Sequence, residues 1–406
     1  MHARYNKTVM ATLLLAIIYL AFVSLGLPDS LLGAGWAVMQ VELQVPISAM
    51  GLVTILISGG TVVSSLFTER LLRRLGTGLL VAISVALTAV GLLGFSLSNR
   101  FWMLCLFTLP YGLGAGAIDA ALNNYVALHY KGRHMSWLHC FWGVGALISP
   151  FIMGYALTTP SSWEGGYRLV FYIQIAIVAV LFASLPLWKK VGKKWGAPEG
   201  ESEQKTKPLG LVGAFRIKGA PLLFLAFACY CACEATAMIW AAEYMHLHHA
   251  VSAETAARYA SLFYIGMTVG RAVCGFADRL GDKLLMRIGC GVMAVGLLLL
   301  GIPFDSHVPA VVGLVVLGLG CAPIYPCIIH ATPTNFGKEH SQGIIGVQMS
   351  SAYIGTTAMP PVFGLIADHV DIAWFPLFLA FFFLMLVLSL EGVNRIVKRR
   401  KQTLLE

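Results

Sequence analysis

The stretch Val9-Met-Ala-Thr-Leu-Leu-Leu-Ala-Ile-Ile-Tyr-Leu-Ala-Phe-Val-Ser-Leu-Gly-Leu-Pro28-Asp29 decides the fold. It runs about twenty residues without a charge, enough at about 1.5 Å per residue to cross a hydrocarbon layer roughly 30 Å thick. Runs of this kind recur along all 406 residues, which are 58% hydrophobic and only 12% charged. The mean hydropathy of +0.78 is too apolar for the surface of a water-soluble domain. In lipid only closed hydrogen-bonded structures are stable, and runs of this length form helices. The chain therefore reads as an all-α polytopic membrane protein with twelve transmembrane helices. The first six are expected at 9–35, 46–69, 76–98, 101–128, 135–158 and 167–188. The second six are expected at 220–245, 255–277, 284–303, 309–330, 342–366 and 372–394.

Charge placement tests the count independently, because Lys and Arg collect on the cytoplasmic side of a helix ladder. With both termini inside, the inner segments gather Arg4, Lys7, Arg70, Arg73, Arg74, Lys131, Arg133, the stretch from Lys189 to Lys218, Arg279, Lys283, Arg287, Lys338 and the tail from Arg395 to Lys401. The outer loops hold only Arg100, Arg168 and Arg258. A miscount by one span would scramble this pattern. The expected placement is the cell (plasma) membrane, multi-pass, with both termini cytoplasmic. The net charge of +9 is then the inner-side bias together with attraction to anionic lipid headgroups, with no soluble basic module to bind nucleic acid.

The polar interruption at 189–218, rich in Lys, Glu, Gly and Pro, divides the chain into bundles at 1–188 and 219–406, the second ending in a basic tail. The halves repeat one plan. Leu20-Ala21-Phe22 leads to Asp29 as Leu225-Ala226-Phe227 leads to Glu234, an offset of about 205 residues. Gly145, Pro150 and Gly154 match Gly355, Pro360 and Gly364 at about 210, and Glu69-Arg70 matches Asp278-Arg279 at about 209. A solute site between duplicated halves is the usual consequence.

Carboxylates within spans are costly unless they neutralise, pair or face water, so Asp29, Asp119 and Glu234 are candidates for proton coupling and substrate binding. Helix arithmetic sets Asp29 and Asp119 at different depths, as separate stations. Pro28 removes a helix hydrogen bond beside Asp29 and frees a carbonyl. Spans 4 and 5 are antiparallel about Lys131, which sets Asn123 level with His139 and Asp119 level with Trp142. An amide, an imidazole, a carboxylate and an indole at neighbouring depths suit a polyhydroxylated solute. Tyr325 and Gln348 join them as substrate-binding candidates, with Trp36, Trp240 and Tyr353 as cavity-wall residues. Arg271 is expected to snorkel or to pair with a gating acid such as Asp278. Cys229, Cys231 and Cys233 spread around one helix as small filler. No metal or cofactor is expected.

The segment Gly275-Phe-Ala-Asp278-Arg279-Leu-Gly281-Asp282-Lys283 resembles the cytoplasmic loop motif of the major facilitator superfamily, with Glu69-Arg70 and Arg73-Arg74 as a weaker copy. The resemblance covers essentially the whole chain and implies two pseudo-symmetric six-helix bundles (the major facilitator fold). It also implies a gating role for Glu69, Arg70, Arg271, Asp278 and Arg279. Gly112-Leu-Gly114-Ala-Gly116-Ala-Ile-Asp119-Ala-Ala-Leu-Asn123-Asn124-Tyr125-Val126, followed by Leu138-His139-Cys-Phe141-Trp142-Gly143-Val-Gly145, resembles the fucose permease branch and related sugar porters. Fucose permeases usually carry Glu at the place of Asp119 and Pro at that of Asn124. Their acids in spans 1 and 4 serve proton coupling and sugar binding, which adds weight to Asp29 and Asp119.

The function these features imply is a secondary transporter: symport of a sugar or similar polyhydroxylated small solute with a cation, a proton ahead of sodium, by alternating access in a monomer. No G-x-x-x-x-G-K-[ST] supports nucleotide energisation. The alternative is a proton antiporter exporting drugs or metabolites, since Gly145-x4-Pro150 loosely matches an antiporter motif. A membrane enzyme or sensor is more distant, as there is no H-E-x-x-H, no G-x-S-x-G and no sizeable soluble domain.

Overall fold

A computed structural model describes residues 2–46, 49–194, 208–302 and 306–403. The chain resolves into two compact units, Met1–Tyr125 with Leu138–Gly210, and Val126–Trp137 with Leu211–Glu406. Helices α1 (His2–Asp29), α2 (Leu31–Glu42), α3 (Ala49–Ser96), α4 (Phe101–His129), α5 (Gly132–Leu157), α6 (Ser162–Ala183) and α7 (Leu185–Lys194) precede the expected linker. Of that linker, residues 195–207 lie outside the described ones. Helices α8 (Gly210–Arg216), α9 (Ala220–Leu247), α10 (Ala253–Phe276), α11 (Asp282–Gly301), α12 (Val308–Cys321), α13 (Ile324–Phe336), α14 (Lys338–His369) and α15 (Phe375–Thr403) follow.

Nine helical stretches among the described residues are long and apolar enough to cross a membrane. The count becomes twelve on inspection of three elements. α3 is two spans joined at Gly76, whose φ of 71° and ψ of 163° interrupt the helix. α10 and α14, 24 and 32 residues long, are about 36 and 48 Å in length but carry more polar side chains. Helix ends run past the expected span limits, to Glu42 in place of 35 and to Lys194 in place of 188, because a helix continues into water after its apolar run stops.

The surface reverses that of a soluble protein. Leu147, Phe151 and Tyr155, four residues apart on α5, are exposed, as are Leu377, Phe381, Leu384 and Leu388 on α15. These are stripes for lipid. The core of the first unit joins Leu31, Trp36 and Met39 of α2 to Phe95, Tyr111, Met153 and Trp163. Trp36, expected at a cavity wall, is packing.

Glycines set the closest helix crossings, and they do so twice. A Cβ at Gly145 of α5 would strike the carbonyl of Val23 on α1, and one at Gly355 of α14 would strike that of Ala228 on α9. A Cβ at Gly112 would strike the Ile57 carbonyl, and one at Gly318 that of Phe263. Val23 and Ala228, and Gly112 and Gly318, are each 205 or 206 positions apart. The repeat in the sequence is thus a repeat of backbone contacts, each inside its own unit.

Candidate functional site

In the first unit α1 carries Pro28 in its last turn and ends one residue later, at Asp29. Proline has no N–H to give the Ser24 carbonyl, and that oxygen accepts instead from buried Gln174 Nε2 at 2.5 Å. The freed carbonyl expected from the sequence has a side-chain partner on α6. One residue on, Asp29 remains exposed. Its Oδ2 accepts from Trp142 Nε1 at 2.8 Å and its Oδ1 from Tyr111 Oη at 3.1 Å. Both donors are neutral. The result is a carboxylate open to a solute, flanked by an indole that can stack on sugar C–H groups.

Trp142, expected level with Asp119, donates its indole N–H to Asp29. The cause is the tight α1–α5 crossing: a Cβ at Gly26 would meet the Trp142 carbonyl itself, so the α1 backbone lies directly against that residue. Asp29 follows three positions later. Sequence depth along α4 and α5 does not include α1, which packs against α5 at this level.

Asp119 belongs to a second, closed cluster. Asn123 Nδ2 donates to Asp119 Oδ1 at 2.7 Å, and Asn123 Oδ1 lies 3.1 Å from His139 Nε2. With the amide oriented this way, His139 carries its proton on Nε2. Asp119, Asn123 and His139 are 5%, 0% and 6% exposed. The level match between Asn123 and His139 is therefore a hydrogen bond, covered by the Phe22 ring edge on α1 at 5.5 Å.

In the second unit, Glu234 Oε1 accepts from Tyr230 Oη at 2.8 Å and from Arg271 Nη2 at 3.2 Å. Arg271 is 6% exposed, so it neither snorkels nor reaches an interface. Snorkelling gives way because α9 and α10 are antiparallel neighbours, which brings Arg271 to a carboxylate 37 residues away, while the expected partner Asp278 has its side chain outside the described residues. Tyr230 Oη also lies 3.0 Å from the Cys321 carbonyl at the end of α12. Tyr325 packs on Tyr230 at 6.1 Å between ring centroids, and on Phe227 at 4.6 Å. Gln348 is held elsewhere, accepting from Thr332 Oγ1 at 3.0 Å. Trp240 Nε1 donates to the Pro360 carbonyl at 2.9 Å, pinning α9 to α14. Tyr111, Tyr230, Gln174 and Thr332 were missed by sequence reasoning.

The loop charges divide. Glu69 is buried, bonded to Arg73 Nη2 at 3.1 Å, and accepts from the backbone N–H groups of Leu209 and Gly210 at 2.9 and 3.3 Å. Arg70 is exposed, 5.4 Å over the Phe67 ring, and Arg279 is exposed. The Asp278 side chain lies outside the described residues. Asp282 Oδ2, in the same motif, lies 2.7 Å from His330 Nδ1. Gly76 and Gly281, 205 positions apart, share an uncommon backbone, with φ of 71° and 74° and ψ of 163° and 153°. In that register Arg73-Arg74-Leu75-Gly76 is the copy of Asp278-Arg279-Leu280-Gly281, one turn later than the match drawn through Glu69-Arg70.

Twelve membrane-crossing helices in two repeated sets, with carboxylates held inside them, define a multi-pass transporter. The sequence profile of the Major Facilitator Superfamily matches residues 18–276 and 222–402. The chain belongs to that superfamily and is a transporter, not an enzyme. Among curated relatives, an uncharacterized MFS-type transporter of Yersinia pestis is 23% identical over 79% of this chain and 80% of its own. Bypass of stop codon protein 6 of Saccharomyces cerevisiae is 25% identical over 78% of this chain and 69% of its own. Among solved structures, a variant of the E. coli fucose:proton symporter FucP superposes with a TM-score of 0.76 at 17% identity, over 95% of this chain and 99% of that one. The proton:xylose symporter XylE superposes at 0.77 with 13% identity, over 94% and 95%. At these identities the likeness shows the fold.

Proposed function

We propose that this protein is a secondary active transporter that moves a sugar or similar polyhydroxylated small solute together with a proton by alternating access. It would work in the cell membrane with both termini cytoplasmic. The observation that carries this reading is the Asp29 cluster: an exposed carboxylate within a membrane span, held by an indole N–H and a phenol and standing at a helix break. Such a group can accept hydroxyl hydrogen bonds, present an aromatic face, and take up or release a proton. The buried Asp119–Asn123–His139 chain supplies a second proton-holding station away from water. The names of the superposed structures, a fucose:proton and a proton:xylose symporter, support the same solute class and coupling ion.

Purified protein in liposomes, with an imposed pH gradient and a panel of sugars, sugar derivatives and amphipathic drugs, tests the proposal. Uphill uptake of a polyhydroxylated solute, running with the proton, is expected. Drug flux against the proton direction, with no flux of the polyhydroxylated panel, would overturn it.

A further inference from the structure

In the second unit, α11 and α15 pack against one another and leave an open cleft of about 160 Å³ between them. Its floor is apolar, built from Met286 and Cys290 on α11 and from Val387 and Leu390 on α15. Its rim is charged. Lys283 and Arg287, one turn apart on α11, stand across from Glu391 and Asn394 on α15. Arg287 Nε and Nη2 each donate to a Glu391 oxygen at 2.8 Å, and Asn394 Nδ2 donates to Glu391 Oε1 at 3.4 Å. A cleft with an oily floor under a charged rim fits a molecule with one charged end and an apolar body.

The sign of that end follows from the rim. Two cations and one carboxylate leave one positive charge in excess. Glu391 takes only the Nε–Nη2 edge of the guanidinium, so Nη1 keeps its protons for another acceptor, and the Lys283 ammonium adds three donors. The neighbouring acid Asp282 does not offset this excess, since its Oδ2 lies 2.7 Å from His330 Nδ1. The position along the helices points to lipid. α11 exposes Leu284 and Ile288, and α15 exposes Leu384 and Leu388. Arg287 adjoins Ile288, and Glu391 stands one turn past Leu388, so the charges lie where both lipid-facing stripes end, at the level of headgroups.

We infer that this cleft seats one anionic glycerophospholipid, with its phosphodiester on Lys283 and Arg287 and the start of an acyl chain over the apolar floor. Free phosphate would use the rim and leave the floor uncovered. A zwitterionic lipid would cover the floor but bring its own cation to a rim that is already positive in excess. The site lies at the outside of the second unit's helices, away from the Asp29 and Asp119 clusters of the first, and its occupancy does not depend on which solute is carried.

Native mass spectrometry of the detergent-purified protein, titrated with phosphatidylglycerol or with phosphatidylcholine of the same chains, tests this. The first phosphatidylglycerol should bind about fivefold or more tighter than phosphatidylcholine, and excess glycerol 3-phosphate should not displace it. Lys283→Gln with Arg287→Gln should erase the preference. Lys398→Gln with Arg400→Gln, which takes the same charge from the exposed end of α15, should keep it. Glu391→Gln removes the competing carboxylate and should tighten phosphatidylglycerol binding by about fivefold, while Val387→Phe fills the floor and should weaken both lipids. Equal binding of the two lipids, or a preference that survives loss of Lys283 and Arg287, would overturn the inference. Displacement by glycerol 3-phosphate would make the rim a site for free phosphate and overturn it as well. So would unchanged or weaker binding in Glu391→Gln, the result expected if that ion pair only holds α11 to α15.

Discussion

Trp142 Nε1 donates a 2.8 Å hydrogen bond to Asp29 Oδ2, joining α5 to the helix break between α1 and α2. Hydrogen bonds to a charged group contribute roughly 1.5–3 kcal/mol, a factor of about 10 to 100 in affinity. Trp142→Phe keeps an aromatic face and deletes only the N–H, so solute affinity should fall within that range. Asp29→Asn should weaken uphill accumulation more than equilibrium binding. Parallel counterflow and gradient-driven uptake measurements separate the two, and full pH-driven uptake by Asp29→Asn would remove this acid from coupling.

The Asp119–Asn123–His139 chain makes a different demand. Asp119→Asn can keep a hydrogen bond to Asn123 by turning its amide oxygen toward Nδ2, so the fold should survive while gradient-driven accumulation is lost. Asn123→Leu removes the amide that joins Asp119 to His139 in an enclosed site, and each hydrogen bond lost costs about 0.5–1.5 kcal/mol, more where the acceptor is charged. Its thermal midpoint in detergent should drop clearly below that of Asp119→Asn. Equal midpoints would mean that the bridge holds nothing.

The repeated crossings allow a test with internal controls. Gly145→Ala and Gly355→Ala each press a methyl group against a backbone carbonyl that cannot yield without moving a helix, an overpacking cost of typically about 1–3 kcal/mol. Gly143 and Gly154 lie on the same helix as Gly145 and face open space. Alanine there should be neutral or stabilising by up to about 1 kcal/mol through helix propensity. Thermal midpoints of the four variants decide it. A Gly145→Ala protein as stable as Gly143→Ala would show that the crossing tolerates separation.

These contacts show which parts of the molecule the sequence makes legible. Span number and the repeat were readable because hydropathy and residue offsets are properties of the chain alone. The match between Asn123 and His139 was readable because both flank one short turn, where depth is fixed by counting. Trp142 with Asp29 and Glu234 with Arg271 were not read, since each depends on which helix lies against which face, and helices apolar on every side give no periodic clue to it. Tyr111 and Tyr230 escaped for a related reason: as single aromatics in spans they look like lipid or core residues until a carboxylate is placed beside them.

The last prediction concerns the turn between α9 and α10, outside the spans. His249 has its pKa lowered from the ordinary 6.5, first by burial and then by the nearby His248 and His307. Tyr244 stacks on His248 at 5.0 Å and meets His249 edge-on at 5.2 Å, while His307 stacks on Tyr259 at 5.6 Å and His246 Nδ1 lies 2.7 Å from the Val251 carbonyl. A histidine that resists protonation when packed, but titrates near its ordinary value once the turn opens, takes up more protons in the open state. The packed turn should thus be fully stable above about pH 6.5 and lose stability as pH falls through that value. Hydrogen exchange of residues 244–260 from pH 7.5 to 5 should speed up in the native protein beyond the intrinsic pH effect. His249→Gln should flatten that added dependence, because no proton can then be gained. Superimposable profiles for the two proteins would leave His249 as a packing residue.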